Sequence, residues 1–226
     1  MSRVNYRKKF ERFLQMIKLG KYREEYKLIK IVEMDLAKDI HILDLLYRLY
    51  WKEKNFVSFE KFYRKYLKEK KTPLEIFRKK IQMCKRCFYR GLPARTFRTW
   101  MSILTQIQGG YVAEDIFGIG TVQMSEELDR KGADIRINYK NRIINCQIKK
   151  KSFSREVRQE KRIKRKLPGK WINIKYFVPG KDVLDKPKKL NGEFKKSYKR
   201  FKKYKYLKCL PNGFVIFTDK LSSKLK

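Results

Sequence analysis

SEELDRKGADIRINYKNRIINCQIKKK, residues 125–151, is the stretch that decides the fold, because it predicts a β-hairpin that carries acidic, amide and lysine side chains. Isoleucines are concentrated on both sides of a polar turn, as in two short paired strands. A turn centred between residues 140 and 141 places Asp134 opposite Gln147, and directly opposed residues project from the same face. Lys149 shares that face because side chains alternate along a strand. The hairpin therefore predicts that an acid, an amide and an ammonium group converge.

The chain carries a large and uneven excess of positive charge. Its 226 residues contain 60 Lys and Arg against 23 Asp and Glu, a formal charge of +37. Residues 1–134, with 30 basic and 17 acidic side chains, contribute +13, and residues 135–226, with 30 and 6, contribute +24. A charge of this size indicates a polyanionic partner that is bound through phosphate neutralisation and counterion release. Nucleic acid is the favoured partner, and the second part of the chain is expected to make most of the contact.

Other features of the composition narrow the class of protein. No run approaches the roughly 18 apolar residues of a membrane span, and no apolar segment follows the first basic residues, so we expect a cytoplasmic protein without membrane association. The four cysteines include one CxxC, formed by Cys84 and Cys87, and two further ligands at zinc-site spacing are missing from the sequence. The cysteines are expected to be reduced and to serve as small buried hydrophobic residues.

Hydrophobic patterning predicts a helical first part and a mixed second part. Apolar residues recur at helical spacing as far as Phe117, with a break expected at Gly91 and Pro93. After it the pattern predicts a helix at 193–210 and, besides the hairpin, strands at 122–124, 171–178 and 213–218. The predicted fold class is α/β (α+β). A helical lobe, residues 1–93, precedes a core, residues 94–226, in which helices flank a central mixed β-sheet.

Residues predicted to contact nucleic acid lie at the end of the hairpin and after it. Four arginines at i, i+3, i+7 and i+10 share one face of a predicted helix, namely Arg155, Arg158, Arg162 and Arg165. A solvated helix face is the alternative, but such a face usually has more glutamates interspersed among its arginines. Lys150, Lys151 and Asn173 complete the set, because lysine suits phosphate or guanine and asparagine suits adenine.

Three segments of the chain resemble the TaqI-type restriction endonucleases of the PD-(D/E)xK nuclease superfamily. They are residues 98–100, residues 104–114, and residues 128–136, where Asp129 and Asp134 stand in the setting Leu-Asp-x-x-Gly-x-Asp. The resemblance continues through Gln-Ile-Lys-Lys at 147–150. It implies a restriction-endonuclease-like core and a type II enzyme that uses Mg²⁺. The expected substrate is a short palindrome, TCGA, cut to leave 5′-phosphates.

The resemblance also implies roles for individual residues. The catalytic set is Asp134, Lys149, Gln147 and Asp129, with Lys149 orienting the attacking water and stabilising the developing oxyanion. Gln147 stands where the superfamily usually has Glu, which removes one negative charge from the metal site. An amide or backbone carbonyl oxygen can still ligate Mg²⁺. The implied metal ligands are Asp134, Asp129, Glu114 and the backbone carbonyl of Ile148.

Cleavage of both strands of a palindrome implies a homodimer on double-stranded DNA. A cognate DNA methyltransferase, encoded alongside but not necessarily bound, would protect the host site. Two other interpretations of the residues stay open. One is a structure-specific junction or repair nuclease of the same superfamily, which would recognise DNA shape. The other is a non-enzymatic basic protein that binds RNA or DNA, in which Asp129 and Asp134 are structural.

Overall fold

N-terminal helices, one long helix and a four-stranded mixed sheet make up the described chain. The computed structural model describes residues 5–27, 29, 36–151 and 167–225. The helices are α1 Tyr6–Met16, α2 Leu19–Lys27, α3 Leu43–Leu46, a π-helix Tyr47–Lys52, α4 Phe59–Glu69, α5 Lys71–Lys80, α6 Lys85–Phe117, α7 Glu126–Arg130, α8 Lys181–Asp185, α9 Lys196–Lys202 and α10 Ser222–Leu225, with 3₁₀ turns at Lys38–Ile40 and Asp219–Leu221. The strands are β1 Val122–Gln123, β2 Ile135–Tyr139, β3 Arg142–Lys151, β4 Lys170–Phe177, β5 Leu207–Cys209 and β6 Val215–Phe217. The predicted α/β (α+β) class with N-terminal helices and a mixed sheet is confirmed.

The four-stranded sheet has the order β1-β2-β3-β4, with antiparallel pairs at β1–β2 and β2–β3 and a parallel pair at β3–β4. The predicted hairpin register is confirmed, since Ile135 lies opposite Cys146. Lys140 and Asn141 have φ of 45° and 60°, the left-handed conformation that a two-residue hairpin turn of type I′ requires. The parallel pairing places Asn173 of β4 next to Gln147 of β3. The polar face of the hairpin therefore extends onto β4.

The long helix α6 packs closely against strands and helices at two adjacent glycines. A Cβ atom on Gly110 would collide with Met124 Sδ and lie 3.1 Å from the Trp51 ring. In the same turn, the buried Gln108 exchanges two hydrogen bonds with the backbone of Phe217. Its Nε2 donates to the carbonyl at 3.0 Å and its Oε1 accepts from the N–H at 2.8 Å. The two glycines, Gly109 and Gly110, thus allow a close approach within an uninterrupted helix.

Two expectations about the start of α6 are wrong. The helix is not broken at Gly91 and Pro93 but passes through both, because Leu92 and Ala94 are fully buried there and core packing offsets the roughly 3 kcal/mol cost of an internal proline. Cys84 does not lie in a helix core. It caps α6, its Sγ accepting from the Cys87 N–H at 3.1 Å, and both cysteines are exposed. Of the four cysteines, only Cys146 is buried.

The predicted helix at 193–210 is also wrong for much of its length. Only α9 is helical, and the chain then forms β5, which pairs antiparallel with β6 in a separate two-stranded sheet. The strand is favoured because it buries Leu207 beside Phe217. The division of the chain at residue 93 falls inside α6, and residues from both sides share one hydrophobic core. The two-domain organisation stays a prediction. As for membranes, every described helix is too short or too polar to span one.

Candidate active site

Asp134 lies where the chain enters β2 and is held against β3. Its backbone N–H donates to the Cys146 carbonyl at 2.9 Å, and its Oδ2 accepts from the Ile148 N–H at 2.5 Å. The side chain is only 8% exposed. Burial raises the pKa of Asp134 well above its ordinary value, and the neighbouring carboxyl of Asp129 raises it further. A buried acid in this state has a strong tendency to bind a cation, which can be a proton or a metal ion.

Asp129 reaches Asp134 through a short helix and a glycine turn. Ser125 caps α7 by accepting from the Leu128 N–H at 3.2 Å, as expected of a serine before an acidic first turn. At the other end, Gly132 has φ of 91° and donates to the Asp129 carbonyl, while Ala133 donates to the Leu128 carbonyl. These two bonds form a Schellman motif, whose turn favours glycine. The Leu-Asp-x-x-Gly-x-Asp spacing thus encodes a turn that brings the two carboxyls together.

The carboxyls of Asp129 and Asp134 lie close enough to shift each other's pKa. The pKa of Asp129 is raised to about 6, chiefly by burial, with a smaller contribution from Glu126. Like charges at contact distance cannot both ionise without a large energetic cost. Ionisation of both carboxyls is therefore disfavoured unless a cation lies between them.

A buried tyrosine of the π-helix supports Asp129 from the other side. The Tyr47 hydroxyl donates to Asp129 Oδ2 at 3.2 Å and lies 3.3 Å from Gln106 Oε1 of α6. Burial, and then the charge of Asp129, raises the pKa of Tyr47 well above its usual value, so the hydroxyl keeps its proton. Short π-helical segments are rare and frequently lie at functional sites. The sequence places Tyr47 in an apolar helical stripe that is expected to be buried, and both Tyr47 and Gln106 lie in segments that carry the family resemblance, but neither is predicted as a site residue.

Gln147 and Lys149 lie on the hairpin face beside this pair, as the register predicts. Lys149 lowers the pKa of Asp134 by electrostatic attraction, although burial dominates. Asn173, exposed on β4, adjoins Gln147. Lys150 points to the opposite face of the sheet, where it shares a cavity with residues of α6, and Lys151 ends β3. The four arginines, Arg155, Arg158, Arg162 and Arg165, lie outside the described residues.

Glu114 is placed elsewhere on α6. Its Oε1 accepts from the Gly120 N–H at 3.4 Å, and its neighbouring cation is Lys54. At 1.5 Å per residue Glu114 is about 12 Å along the helix from Gln106. Within the described ranges, no group of three or more His, Cys, Asp or Glu side chains is arranged to hold a metal ion. The carboxyls that approach each other at this site are thus those of Asp129 and Asp134.

Two contacting carboxyls with raised pKa values fit one divalent cation. Mg²⁺ is commonly held by only one or two carboxylates, with waters and substrate phosphate filling its other positions. A cation between Asp129 and Asp134 would also remove the repulsion by which Asp129 raises the pKa of Asp134. The donor set is therefore suited to Mg²⁺, with the Ile148 carbonyl and the Gln147 amide as further oxygen donors nearby in β3.

An acid pair beside Gln-x-Lys on a mixed sheet is the arrangement of the PD-(D/E)xK nucleases. The family model described as TaqI restriction endonuclease matches residues 7–226. The type II restriction enzyme TaqI of Thermus aquaticus is 35% identical over 221 residues, and TthHB8I of Thermus thermophilus is 33% identical over 218. Each alignment covers 93% of this chain and 82% of the relative. No solved structure gives a significant match. The chain belongs to the TaqI restriction endonuclease family and is a type II site-specific deoxyribonuclease.

Proposed function

We propose that this restriction endonuclease hydrolyses both strands of DNA at a short palindrome, TCGA, using Mg²⁺ and leaving 5′-phosphates. The observation that carries the proposal is the close pair of carboxyls formed by the half-buried Asp129 and the buried Asp134, with Lys149 close enough to lower the pKa of Asp134. Binding of a cation would resolve the repulsion within the pair. The TCGA specificity follows from the family resemblance alone.

Each residue of the site has a defined task in this proposal. Asp129, Asp134 and the Ile148 carbonyl would hold a divalent cation, which would supply Lewis acidity and charge neutralisation at the scissile phosphate. Lys149 orients the attacking water and stabilises negative charge on the phosphoryl oxygens. Gln147 offers an amide oxygen at the position where the superfamily usually has Glu. A neutral side chain there avoids a third negative charge next to a pair whose pKa values are already raised.

The contacts with DNA are proposed on the two faces that adjoin the site. Asn173 lies beside Gln147 and is exposed, so it can reach a base edge or a phosphate. Lys150, Lys151 and the four arginines Arg155, Arg158, Arg162 and Arg165 follow directly in the chain and would neutralise phosphates. The charge of +24 on residues 135–226, from 30 basic and 6 acidic side chains, supports this placement.

The partners follow from the chemistry of the substrate. A palindrome offers two equivalent half-sites and each scissile bond needs a catalytic centre, so we expect a two-fold homodimer on double-stranded DNA. A cognate DNA methyltransferase encoded alongside would protect the host site. The enzyme would act in the cytoplasm, where it meets incoming DNA.

Digestion of plasmid DNA with Mg²⁺, followed by sequencing of the fragment ends, tests the proposal. We expect discrete fragments with uniform 5′-phosphorylated ends at TCGA, and no cleavage in EDTA. Fragments that begin only at branched or damaged DNA would indicate a structure-specific nuclease. Tight binding without cleavage, with or without Mg²⁺, would favour a non-enzymatic nucleic-acid-binding protein. Uniform ends at another sequence would refute TCGA while keeping the metal-dependent chemistry.

A further inference from the structure

A groove formed by two adjoining cavities crosses α6 beside the aspartate pair. The first cavity, of about 750 Å³, opens next to Asp129 and is also lined by His41, Arg95, Arg98, Ser102 and Arg130. The second, of about 320 Å³, is lined by Arg23, Arg98, Ser102, Lys150 and Tyr176. Because Arg98 and Ser102 line both, the cavities meet at this turn of α6. We call the whole feature the α6 groove.

The lining of the α6 groove is strongly basic. Asp129 is its acidic residue, whereas its basic side chains are Arg23, Arg95, Arg98, Arg130 and Lys150. Burial lowers the pKa of His41, so its imidazole is neutral at neutral pH. The Arg98 side chain is exposed, and no salt bridge joins it to an acid in the ranges that the structure describes. Arg130 forms a salt bridge with Glu126, whereas Arg98 keeps its positive charge exposed in the groove.

The groove has a rigid floor. Arg95, Arg98 and Ser102 fall on one face of α6 within two turns, over a rise of about 10 Å. Ser102 and Thr105 of α6 lie close enough to the Tyr176 hydroxyl on β4 to lower its pKa, so the helix and the sheet adjoin each other at the groove. Basic groups on helices and strands keep their positions better than groups on loops. The arrangement suits an extended anionic ligand that runs from Asp129 towards Lys150.

We propose that the α6 groove binds backbone phosphates of the DNA strand that is cut, immediately beside the scissile phosphate, with Arg98 as the central contact. This inference rests on the proposed function, because the groove begins at the acid assigned to the metal. A guanidinium group matches a phosphate through two parallel hydrogen bonds. Such contacts fix the position of the DNA and carry no sequence information. The groove would thus align the scissile phosphate over Asp129 and Asp134.

The test compares Arg98→Ala and Arg98→Lys with Arg86→Ala, an exposed arginine at the start of the same helix that lines neither cavity. Binding to a short TCGA-containing duplex is measured by fluorescence anisotropy without divalent cations at several salt concentrations. Arg98→Ala should reduce the slope of log Kobs against log salt by about 1 and weaken binding about tenfold. Arg98→Lys should keep the slope, and Arg86→Ala should match wild type in both.

Duplexes with a single neutral methylphosphonate on either side of the cut locate the contact. A methylphosphonate at one of these positions should weaken DNA binding by the wild-type protein. The same substitution should leave the DNA affinity of Arg98→Ala unchanged. The inference would be overturned if the salt slope of Arg98→Ala equalled that of wild type or of Arg86→Ala. It would also be overturned if each methylphosphonate weakened binding equally in wild type and in Arg98→Ala. Because binding is read without cleavage, a wild-type protein that fails to cut DNA rejects the proposed function, whereas an unchanged slope rejects the groove.

Discussion

Replacing Tyr47 by Phe removes one hydroxyl from the support of Asp129 and leaves the aromatic ring in place. The hydroxyl is buried and donates to Asp129 Oδ2 at 3.2 Å. Its neighbour Gln106 is the other polar group within reach. Without the hydroxyl, Asp129 loses a hydrogen bond that favours its charged form, which is the form a metal requires. The variant should therefore bind Mg²⁺ less tightly and cleave DNA more slowly.

The size of this effect follows from the kind of bond that is lost. A hydrogen bond to a charged group contributes about 1.5–3 kcal/mol, which corresponds to roughly ten- to hundredfold in rate or affinity. Loss of a group that orients a metal ligand typically has an effect of the same size. Tyr47→Phe should reduce single-turnover cleavage at limiting Mg²⁺ by this factor and raise the Mg²⁺ concentration for half-maximal rate.

Tyr111→Phe is the matched control. Its hydroxyl is also buried and donates at 2.6 Å to the carbonyl of Tyr50, which lies in the same π-helix as Tyr47. Both variants should lose about 1 kcal/mol of unfolding free energy in urea, but only Tyr47→Phe should change the Mg²⁺ dependence. Equal rates for Tyr47→Phe and wild type, or equal losses in the two variants, would refute the role of Tyr47.

Two further predictions concern stability. The pKa of Asp129 is raised from 3.8 to about 6, so between these pH values the folded state retains a proton that the unfolded chain has lost, and the free energy of unfolding falls as pH rises. Without metal, the Asp129→Asn variant should therefore have a higher Tm than wild type at pH 7 and a Tm similar to that of wild type near pH 4. Calorimetry should also show that Mg²⁺ raises the Tm of wild type but not that of Asp129→Asn. Gly110→Ala should cost about 1–3 kcal/mol by overpacking against Met124 and Trp51. Gly20 has nothing within 4 Å of the position of an added Cβ, so Gly20→Ala should leave the free energy of unfolding in urea unchanged or raise it. If Gly110→Ala also leaves that free energy unchanged, the packing against Met124 and Trp51 adjusts to the extra methyl group and the prediction is wrong.

The hairpin could be predicted because its determinants are local. Alternating side chains and a two-residue turn fix the register from Ile135 opposite Cys146 to Tyr139 opposite Arg142, as predicted. Asp129 was reached only through the family resemblance. The structure supplies the physical reason, a helix of one turn closed by Gly132. A capping serine followed by acidic residues is a sequence signal for the start of α7. Counting the paired residues of the hairpin does not detect this signal.

The elements that the sequence predicts wrongly share one cause. Burial of side chains in the core outweighs the local conformational preferences of the residues. Pro93 argued for a break, yet α6 is buried on both sides of it and continues. Tyr47 contacts Asp129 across 82 residues of chain, and no periodicity in the sequence reports a contact of that range. The place of Glu114 within the resemblance segment predicts a metal ligand, but its position on α6 directs it to Lys54 and Gly120.

The rate of DNA cleavage by Asp134→Asn in saturating Mg²⁺ tests the central claim most directly. The amide keeps the size of the side chain and removes the charge that would hold the metal. If the pair is the metal site, the single-turnover rate should fall by about a thousandfold or more, equivalent to roughly 4 kcal/mol, with an unchanged circular dichroism spectrum. A folded Asp134→Asn protein that cleaves at the wild-type rate would contradict the assignment of Asp129 and Asp134 as the catalytic centre.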